Sequence, residues 1–294
     1  MDNDSIVNDI ASPFDVVVKG MDTPYTLVPT SQKTVQPVAL LRLSVFTPVS
    51  PKERGKRDFS IDASEELSSL EVARQEGYTD IRIQGAKLSM STDFKTWVGI
   101  ISAFSQHGFT GDKITIPFTE FAGMCGIASK DFNKRSRERI YDSLFNLSSI
   151  VLGFKSKDGK KAMVTHLVQR AQFNYETDTV EIIGDSSLWE LYRYDHKVLL
   201  SLQALSSLSR KEAAQSLYVY LESMPAGTLY ISMKRLRERL AMSSSIGDQN
   251  VTIRKALKDL EAIKYVEYSE VKKGREIHFI FHSRSPKLRL SDGS

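Results

Sequence analysis

The stretch "GTLYISMKRLRERLAMSSSIGDQNVTIRKALKDLEAI" (227–263) determines how the rest of the chain is interpreted. Its apolar spacing predicts a strand (227–232), a short helix (233–242), a turn and a second helix (248–263). That second helix has one continuous apolar face, formed by Ile253, Ala256, Leu257, Leu260 and Ile263. The stretch therefore has the form of two consecutive helices, the second of which can pack on a core while its other side stays polar.

The flanking sequence completes a recurring order of elements. A helix (210–225) precedes the stretch, and the strands "KYVEYSEV" and "REIHFIF" follow it around the basic turn "KKGR" (272–275). This is the order of a winged helix: helix, strand, helix, turn, helix, strand, basic turn and strand. The third helix of that fold enters the major groove of DNA. The sequence thus predicts a winged-helix domain in the C-terminal part of the chain.

The same order occurs earlier in the chain. In sequence, the pattern predicts a helix (93–108), a strand (113–118), a short helix capped by Thr119 (119–126), a longer helix (129–148), and the strands "IVLGFKS" and "AMVTHLVQR" around "KSKDGKK" (155–161). Four pairs of apolar positions match: Ile116 with Ile231 and Phe121 with Leu236 at an offset of 115, then Leu144 with Leu257 and Leu147 with Leu260 at an offset of 113. This pattern indicates a diverged duplication, so we expect an α+β fold with two tandem winged-helix domains.

The remaining segments set the expected domain limits. Residues 1–33 contain three prolines and no sustained periodicity, which is typical of a flexible arm. We expect the first winged helix within 34–185 and the second within 186–290. The segment 186–210 is expected to be helical and to join the two.

The first domain is expected to be elaborated at its N-terminal side. Residues 34–46 and 80–90 look like strands, and 65–77 looks like a short amphipathic helix ended by glycine. These extra elements precede the first predicted winged helix.

Charge is distributed unevenly along the 294-residue chain. The formal net charge is only +4, but residues 93–174 hold 12 Lys and Arg against 7 Asp and Glu, and residues 225–294 hold 14 against 8. Clustered positive charge is typical of proteins that bind polyanions such as nucleic acids.

Composition also predicts the compartment. No apolar run approaches the roughly 18 residues that a membrane span needs, and the acidic N-terminus lacks the order of a signal peptide. The single cysteine, Cys125, is compatible with a reducing environment. We therefore expect a cytoplasmic protein without a membrane partner.

The two third helices carry residue types that contact DNA. Arginine pairs bidentately with guanine, Asn or Gln pairs with adenine, and the N-terminal half of the helix is the part that reaches the bases. The candidates of the second domain are Gln249, Asn250, Thr252, Arg254, Lys255 and Lys258, and those of the first are Lys130, Asn133, Lys134, Arg135, Arg137 and Arg139. Which of them read bases and which contact phosphates stays open, and a solvated polar face is the alternative.

Basic residues in the two hairpins are expected to contact phosphates, which position a protein without reading sequence. They are Lys155, Lys157, Lys160 and Lys161 in the first domain, and Lys272, Lys273 and Arg275 in the second. The basic helix "MKRLRERL" (233–240) either crosses the DNA backbone or is solvated.

The sequence gives little support for an enzymatic function. The histidines of "HFIFH" (278–282) lie four residues apart, about 13 Å along a strand, which is too far to share one metal ion. The glycines form no phosphate-binding loop, and Cys125, Trp97 and Trp189 are expected to be core residues. We therefore expect no catalytic residue, metal or cofactor.

Six segments together resemble the RepA-type replication initiators of low-copy plasmids and phage-plasmids, within the wider family of iteron-binding initiators. They are "TVQPVALLRLSVF", "DFKTWVGII", "LWELYRYDHKVLL", "KEAAQSLYVYLESMP", "IGDQN…IRKALKDLEAIKYVEY" and "HSRSPKLRL". The resemblance runs from about residue 34 to residue 290 and does not include the N-terminal arm.

The resemblance implies binding of short direct repeats (iterons) at a plasmid origin, opening of the adjacent duplex, and recruitment of host initiator and helicase proteins. It implies that monomers initiate, that host chaperones of the DnaK/DnaJ type convert dimers to monomers, and that the protein limits copy number and represses its own promoter. The extra strands around 34–48 and 80–90 are the expected dimerisation surface.

Three other functions remain open at this point. A repressor with two winged helices would show the same DNA-binding residues without a role in replication. A nicking enzyme would form a covalent 5′-phosphotyrosine adduct, and a scaffold protein would protect no DNA repeat. If each winged helix covers about one groove, the bound repeat should span about 20 base pairs, or two helical turns.

Overall fold

The computed structural model of the chain describes residues 14–16, 25–50, 52–56, 58–62, 64, 78–107, 113–185, 192 and 197–284. Its helices are α1 (Val38–Arg42), α2 (Asp93–His107), α3 (Phe118–Met124), α4 (Lys134–Ser148), α5 (Leu202–Ser207), α6 (Glu212–Glu222), α7 (Met233–Leu240) and α8 (Ile246–Ala262). Its strands are β1 (Asp15–Val16), β2 (Tyr25–Thr26), β3 (Lys33–Pro37), β4 (Phe46–Thr47), β5 (Phe59–Asp62), β6 (Tyr78–Gly85), β7 (Leu88–Ser89), β8 (Lys113–Pro117), β9 (Val151–Ser156), β10 (Ala162–His166), β11 (Arg170–Asn174), β12 (Thr179–Ile183), β13 (Lys197–Ser201), β14 (Leu229–Ser232), β15 (Val266–Lys273) and β16 (Glu276–Arg284). The predicted α+β fold with two tandem winged helices is confirmed.

The second winged helix follows the predicted order closely. Helices α6, α7 and α8 pack together, and the sheet order is β14-β16-β15, with Ile231 on β14 opposite Phe279 on β16. Ile253, Ala256, Leu257 and Leu260 are buried, as their helical spacing predicts. Helix α8 begins two residues earlier than expected, because Ser245 accepts a hydrogen bond from the backbone N–H of Asp248 and caps it.

The first winged helix has the same topology but contains an insertion. Helices α2, α3 and α4 are followed by a sheet of order β8-β12-β11, so that β11 and β12 correspond to β15 and β16. The hairpin β9–β10, which comes directly after α4, belongs to a different sheet of order β10-β9-β6-β5. The predicted first wing at 155–161 was therefore wrong, and the hairpin in the wing position turns at residues 175–178.

The duplication predicted from apolar matches is confirmed by topology. Each matched residue lies on the equivalent element and is buried: Ile116 and Ile231 on the first strands, Phe121 and Leu236 on the second helices, and Leu144, Leu147, Leu257 and Leu260 on the third. The two-residue change of offset falls between the second and third helices, where one copy has a 3₁₀ turn (Ser129–Asp131).

Several local expectations need correction. Residues 34–46 form a strand, a buried helix and a second short strand, because a continuous apolar run does not distinguish a buried strand from a buried helix. Thr119 does not cap α3, whose first turn has no side-chain cap. The predicted helix 129–148 is a 3₁₀ turn followed by α4, because Asn133 forms a capping box with Ser136.

Part of the expected arm and linker is also ordered differently. Within 1–33, β1 pairs with β2, and Phe14 is buried against Tyr192. Within 186–210, residues 197–201 form a strand paired with β3, followed by α5, so the segment is not one helix. The predicted helix at 65–77 and Trp189 lie outside the described residues.

Residues 34–47 are nearly all buried within the chain itself. Arg42 on α1 donates to the carbonyl of Ser223 at 2.7 Å, and Ser44 donates to the carbonyl of Arg239 at 2.9 Å. Strand β6 is paired on both sides, by β5 and β9. Most of the expected dimerisation surface at 34–48 and 80–90 is thus covered within the chain, with Arg82 and Gln84 on β6 still exposed, and its role in dimerisation stays a prediction.

Among the described residues, no helix is both long enough and apolar enough to span a membrane. Trp97 and Cys125 are core residues as predicted, and Trp97 donates to the side-chain oxygen of Gln36 at 2.9 Å. Burial raises the pKa of the Cys125 thiol well above its usual range.

Candidate nucleic-acid interface

Helix α8 presents a polar ridge between two flanks. Lys255 and Lys258 are exposed, and Val251 lies beside them with 66% of its surface accessible. On one edge Arg254 contacts β15, and on the other edge Thr252 lines a cleft beside residues 48–54. The ridge is therefore exposed between an edge that is held by β15 and an edge that faces an open cleft.

Arg254 is held by a carboxylate of the hairpin. Its Nε and Nη2 donate to the two carboxylate oxygens of Glu270 at 2.9 and 2.8 Å. The hydrogen bonds from Arg254 lower the pKa of Glu270 below its ordinary value. Because this fork also matches guanine or phosphate, Arg254 either contacts DNA with its remaining N–H groups or exchanges partners on binding.

Two other predicted readers make contacts that support the helix-turn-helix itself. Gln249 donates its side-chain amide to the carbonyls of Met242 and Ser244 at 3.0 and 2.6 Å, which fastens the turn before α8. The side-chain oxygen of Asn250 accepts from Arg237 at 2.9 Å. Both side chains are half-buried, so part of their hydrogen-bonding capacity is already used within the protein.

The hairpin β15–β16 is placed as predicted. Its turn has Gly274 at φ 64, a left-handed conformation that suits glycine. Lys272, Lys273 and Arg275 surround this turn, and all three are exposed. They can contact phosphates on the side of α8 where Arg254 lies.

The sequence left two possibilities for the basic helix α7: contact with the DNA backbone, or solvation. In the structure its arginines mainly form hydrogen bonds within the protein. Arg235 donates to the hydroxyl of Tyr220, Arg237 binds Asn250, and the buried Arg239 donates to the carbonyl of Leu41. Of the cations on this helix, only Lys234 is well exposed, and its Nζ lies 3.7 Å from a carboxylate oxygen of Glu238.

In the first domain the candidate residues divide between helix, cap and turn. Lys134, Arg135 and Arg139 are exposed on α4. Asn133 accepts from the backbone N–H of Ser136 as the N-cap, and Lys130 lies in the preceding 3₁₀ turn, exposed. These residues share one end of α4, the N-terminal end that approaches bases in helix-turn-helix proteins.

Arg137 is tied to the hairpin of its own domain. Its guanidinium binds both carboxylate oxygens of Asp178 and lies 4.2 Å from the ring centre of Phe118. The hydrogen bond from Arg137 lowers the pKa of Asp178. Arg137 therefore ties α4 to the β11–β12 turn, and its guanidinium is less available for DNA than the side chains of the exposed candidates.

Strand register shows which positions of the two domains are equivalent. In the second domain, Phe279 on the central strand lies between Glu270 and Ile231. In the first domain, Val180 on the central strand lies between Phe173 and Ile116. Glu270 thus corresponds to Phe173, and Arg254 corresponds to Tyr141 at the offset of 113. The rings of Tyr141 and Phe173 are 5.9 Å apart, so an aromatic pair replaces the ion pair of the second domain.

Sequence reasoning missed an exposed aromatic patch around that pair. Tyr141 stacks on Phe145, and Phe173 stacks on Tyr175, with ring centres 6.3 and 6.1 Å apart. Tyr141, Phe145 and Tyr175 are each about half exposed or more. The sequence could have indicated the patch, because Tyr141 and Phe145 are four residues apart on a helix and Phe173 and Tyr175 are two residues apart at the end of a strand. The patch is suited to apolar contact.

The four lysines assigned to the first wing lie on the inserted hairpin. Lys155 lies on β9 opposite Asp80 of β6, and Lys157, Lys160 and Lys161 belong to the turn between β9 and β10. All four are exposed. The β11–β12 turn that occupies the wing position instead contains Tyr175, Glu176 and Asp178, and no cation.

The histidines of β16 have separate surroundings. The ring of His278 stacks on Tyr230 at 4.6 Å, whereas His282 is exposed and hydrogen-bonds with Ser269. His278 is therefore half-buried, whereas His282 faces solvent. Within the described part of the chain, no cluster of three or more metal-binding side chains is found.

The two equivalent helix–hairpin units define a tandem winged-helix protein. A family model described as "Initiator Replication protein, WH1" matches residues 61–222. Replication protein RepA of Salmonella typhi is 48% identical over 267 residues, covering 90% of this chain and 76% of the relative. Replication protein RepA of Escherichia coli is 44% identical over 291 residues, covering 99% of this chain and all of the relative.

The chain belongs to this family of replication initiators. The crystal structure of domains 2 and 3 of RctB has a similar fold, with a TM-score of 0.52 at 12% identity, over 84% of this chain and 98% of that one. The family match and the two RepA relatives confirm the resemblance to RepA-type initiators.

Proposed function

We propose that the protein initiates plasmid replication by binding direct repeats at the origin, with α4 and α8 in successive major grooves on one face of the duplex. The proposal is supported by one observation above all. Two equivalent third helices each present exposed cations beside a hairpin, within a family of replication initiators. A repeat of about 20 base pairs matches two such readers.

The protein acts by binding and not by catalysis, and it needs no cofactor. It opens the neighbouring duplex, recruits host initiator and helicase proteins, limits copy number and represses its own promoter in the bacterial cytoplasm. Host chaperones of the DnaK/DnaJ type release the active monomer from the dimer. For self-association it uses strand β10, which pairs only with β9 in its described sheet and exposes Val164.

The direct experiment is a replication assay. A plasmid whose only origin is this gene with its flanking DNA should be maintained in a host lacking other initiators, and Lys255→Ala with Lys258→Ala should abolish maintenance. Repression of the promoter without replication would identify a repressor instead. A covalent tyrosine–DNA adduct formed on supercoiled origin DNA would identify a nicking enzyme.

A further inference from the structure

A turn of the first domain is fastened next to the reading helix of the second. We call residues 52–56 the basic turn. Lys87 Nζ donates to Glu53 Oε1 at 2.7 Å and to the carbonyl of Ala241 at 2.6 Å. Ala241 is the left-handed C-cap of α7, at φ 45, so this contact reaches the turn that leads into α8.

The acid of the basic turn, Glu53, is paired with Lys87, whereas the cations of the turn have no such partner. Burial alone would raise the pKa of Glu53, but hydrogen bonds from Lys87 and Ser50 outweigh it and lower the pKa to about 2. Lys52, Arg54 and Lys56 are exposed, and none forms an ion pair with another described residue. The basic turn therefore presents net positive charge to solvent.

A cleft separates the basic turn from the edge of α8. Arg54 lies on one wall, Thr252 and Lys255 lie on the other, and Arg210 lies at the junction with α6. Of the acids that line the cleft, Asp259 binds Lys211 at 2.7 Å and Glu53 binds Lys87 at 2.7 Å, whereas Glu212 accepts from the backbone N–H of Val49 at 2.9 Å and keeps its negative charge. Within the described residues, the three cations without an ion-pair partner, Arg54, Arg210 and Lys255, therefore outnumber the one such acid, Glu212.

A helix in the major groove has a phosphate backbone on each side, because the groove is only about 12 Å wide. On the Arg254 side of α8, the hairpin residues Lys272, Lys273 and Arg275 can meet one backbone. On the Thr252 side, the cleft and the basic turn occupy the corresponding place.

We propose that this cleft binds a backbone phosphodiester of the DNA strand opposite the hairpin, through Arg54, Arg210 and Lys255. The inference rests on the proposed function and adds one consequence: the first domain contributes directly to the half-repeat that the second domain reads. The second winged helix then needs the first domain for full affinity for its own half-repeat. This need is separate from any cooperativity between the two domains when they bind successive grooves.

Binding of duplex DNA carrying the repeats, measured over a series of salt concentrations, tests the cleft. Each phosphate contact contributes about 0.9 to the slope of log affinity against log salt, which is about fivefold in affinity near 0.15 M salt. Arg54→Ala should lower the slope by about that amount, with unchanged melting temperature. Arg82→Ala, which removes an exposed arginine on β6, is the matched control and should leave the slope unchanged.

Repeats with single methylphosphonates locate the contact. Neutralising one phosphate beside the α8 groove should weaken the wild-type protein but not Arg54→Ala. If Arg54→Ala keeps the full slope while the triple variant Lys272→Ala, Lys273→Ala and Arg275→Ala loses it, the cleft does not bind phosphate and the proposed function stands. If the wild-type protein shows no preference for the repeats, the proposed function fails and the cleft proposal fails with it.

Discussion

Arg254 on α8 and Glu270 on β15 form a two-point hydrogen-bonded pair at 2.8 and 2.9 Å, where the first domain has Tyr141 against Phe173. The two repeats therefore join reading helix to hairpin by different chemistry at the same place. The second domain holds a charged fork at the edge of its helix, whereas the first holds an apolar contact. This difference makes the second domain the better candidate for reading a base by hydrogen bonds.

Arg254→Ala should weaken binding to the cognate repeat by about 1–3 kcal/mol and relax preference at one base position, because a bidentate contact is lost. Glu270→Ala should relax preference at the same position, since it leaves Arg254 without its support. Competition among single-base variants of the repeat measures both effects. Equal losses on every sequence would show that Arg254 contacts only phosphate.

The hairpins should differ in their contribution to salt dependence. Replacing Lys272, Lys273 and Arg275 with alanine should lower the salt slope by about 2–3, because up to three phosphate contacts disappear. Replacing Lys157, Lys160 and Lys161 should change it less, since the inserted hairpin lies in another sheet. Titration of labelled repeat DNA at several salt concentrations compares the two triple variants. A larger drop in salt slope for the inserted hairpin than for β15–β16 would show that the inserted hairpin is the first wing after all.

Gly85 should not tolerate a side chain. It has φ 136, and a Cβ atom there would lie 2.3 Å from the carbonyl oxygen of Ser149. Gly85→Ala should therefore lower the free energy of unfolding by more than about 1 kcal/mol. Gly153→Ala, on the neighbouring strand with 3.9 Å of clearance, is the matched control for urea unfolding. Equal stability of the two variants would contradict this packing.

The contact between Glu53 and Lys87 should make stability depend on pH. The pKa of Glu53 is lowered to about 2 from 4.5, so its stabilisation is present above about pH 4.5 and is lost as pH falls towards 2. The effect on the free energy of unfolding should be about 1 kcal/mol, because solvent screens an ion pair near the surface. The difference in unfolding free energy between wild type and Glu53→Gln should shrink from pH 5 to pH 3. A difference that does not change over this range would show that Glu53 is not held charged by Lys87.

Helical periodicity was sufficient to predict the duplicated core. The spacing of Leu144, Leu147, Leu257 and Leu260 follows the short-range geometry of a helix, and those residues are buried as expected. The first wing could not be predicted in this way, because which hairpin pairs with β8 depends on contacts about 60 residues apart, between Ile116 and Val180. A lysine-rich hairpin directly after α4 has the same local pattern as a true wing.

The candidate interface was predicted in outline but not in its internal contacts. Helical spacing places Gln249 and Arg254 at the edges of the apolar face, yet the partners of these side chains lie on a turn and on β15. Such pairs depend on where separate elements meet. The basic turn shows the same limit, since its place beside α8 follows from Lys87 reaching Ala241, and no local pattern predicts that contact.

Methylation interference on the repeats beside the gene tests most directly whether α4 and α8 read successive grooves. Each repeat should contain two sites of major-groove interference about 10 base pairs apart on one face of the duplex. Lys255→Ala with Lys258→Ala should remove one of the two sites, and Arg135→Ala with Arg139→Ala should remove the other. A single site in each repeat, or two sites that disappear together in both variants, would contradict tandem reading by the two winged helices.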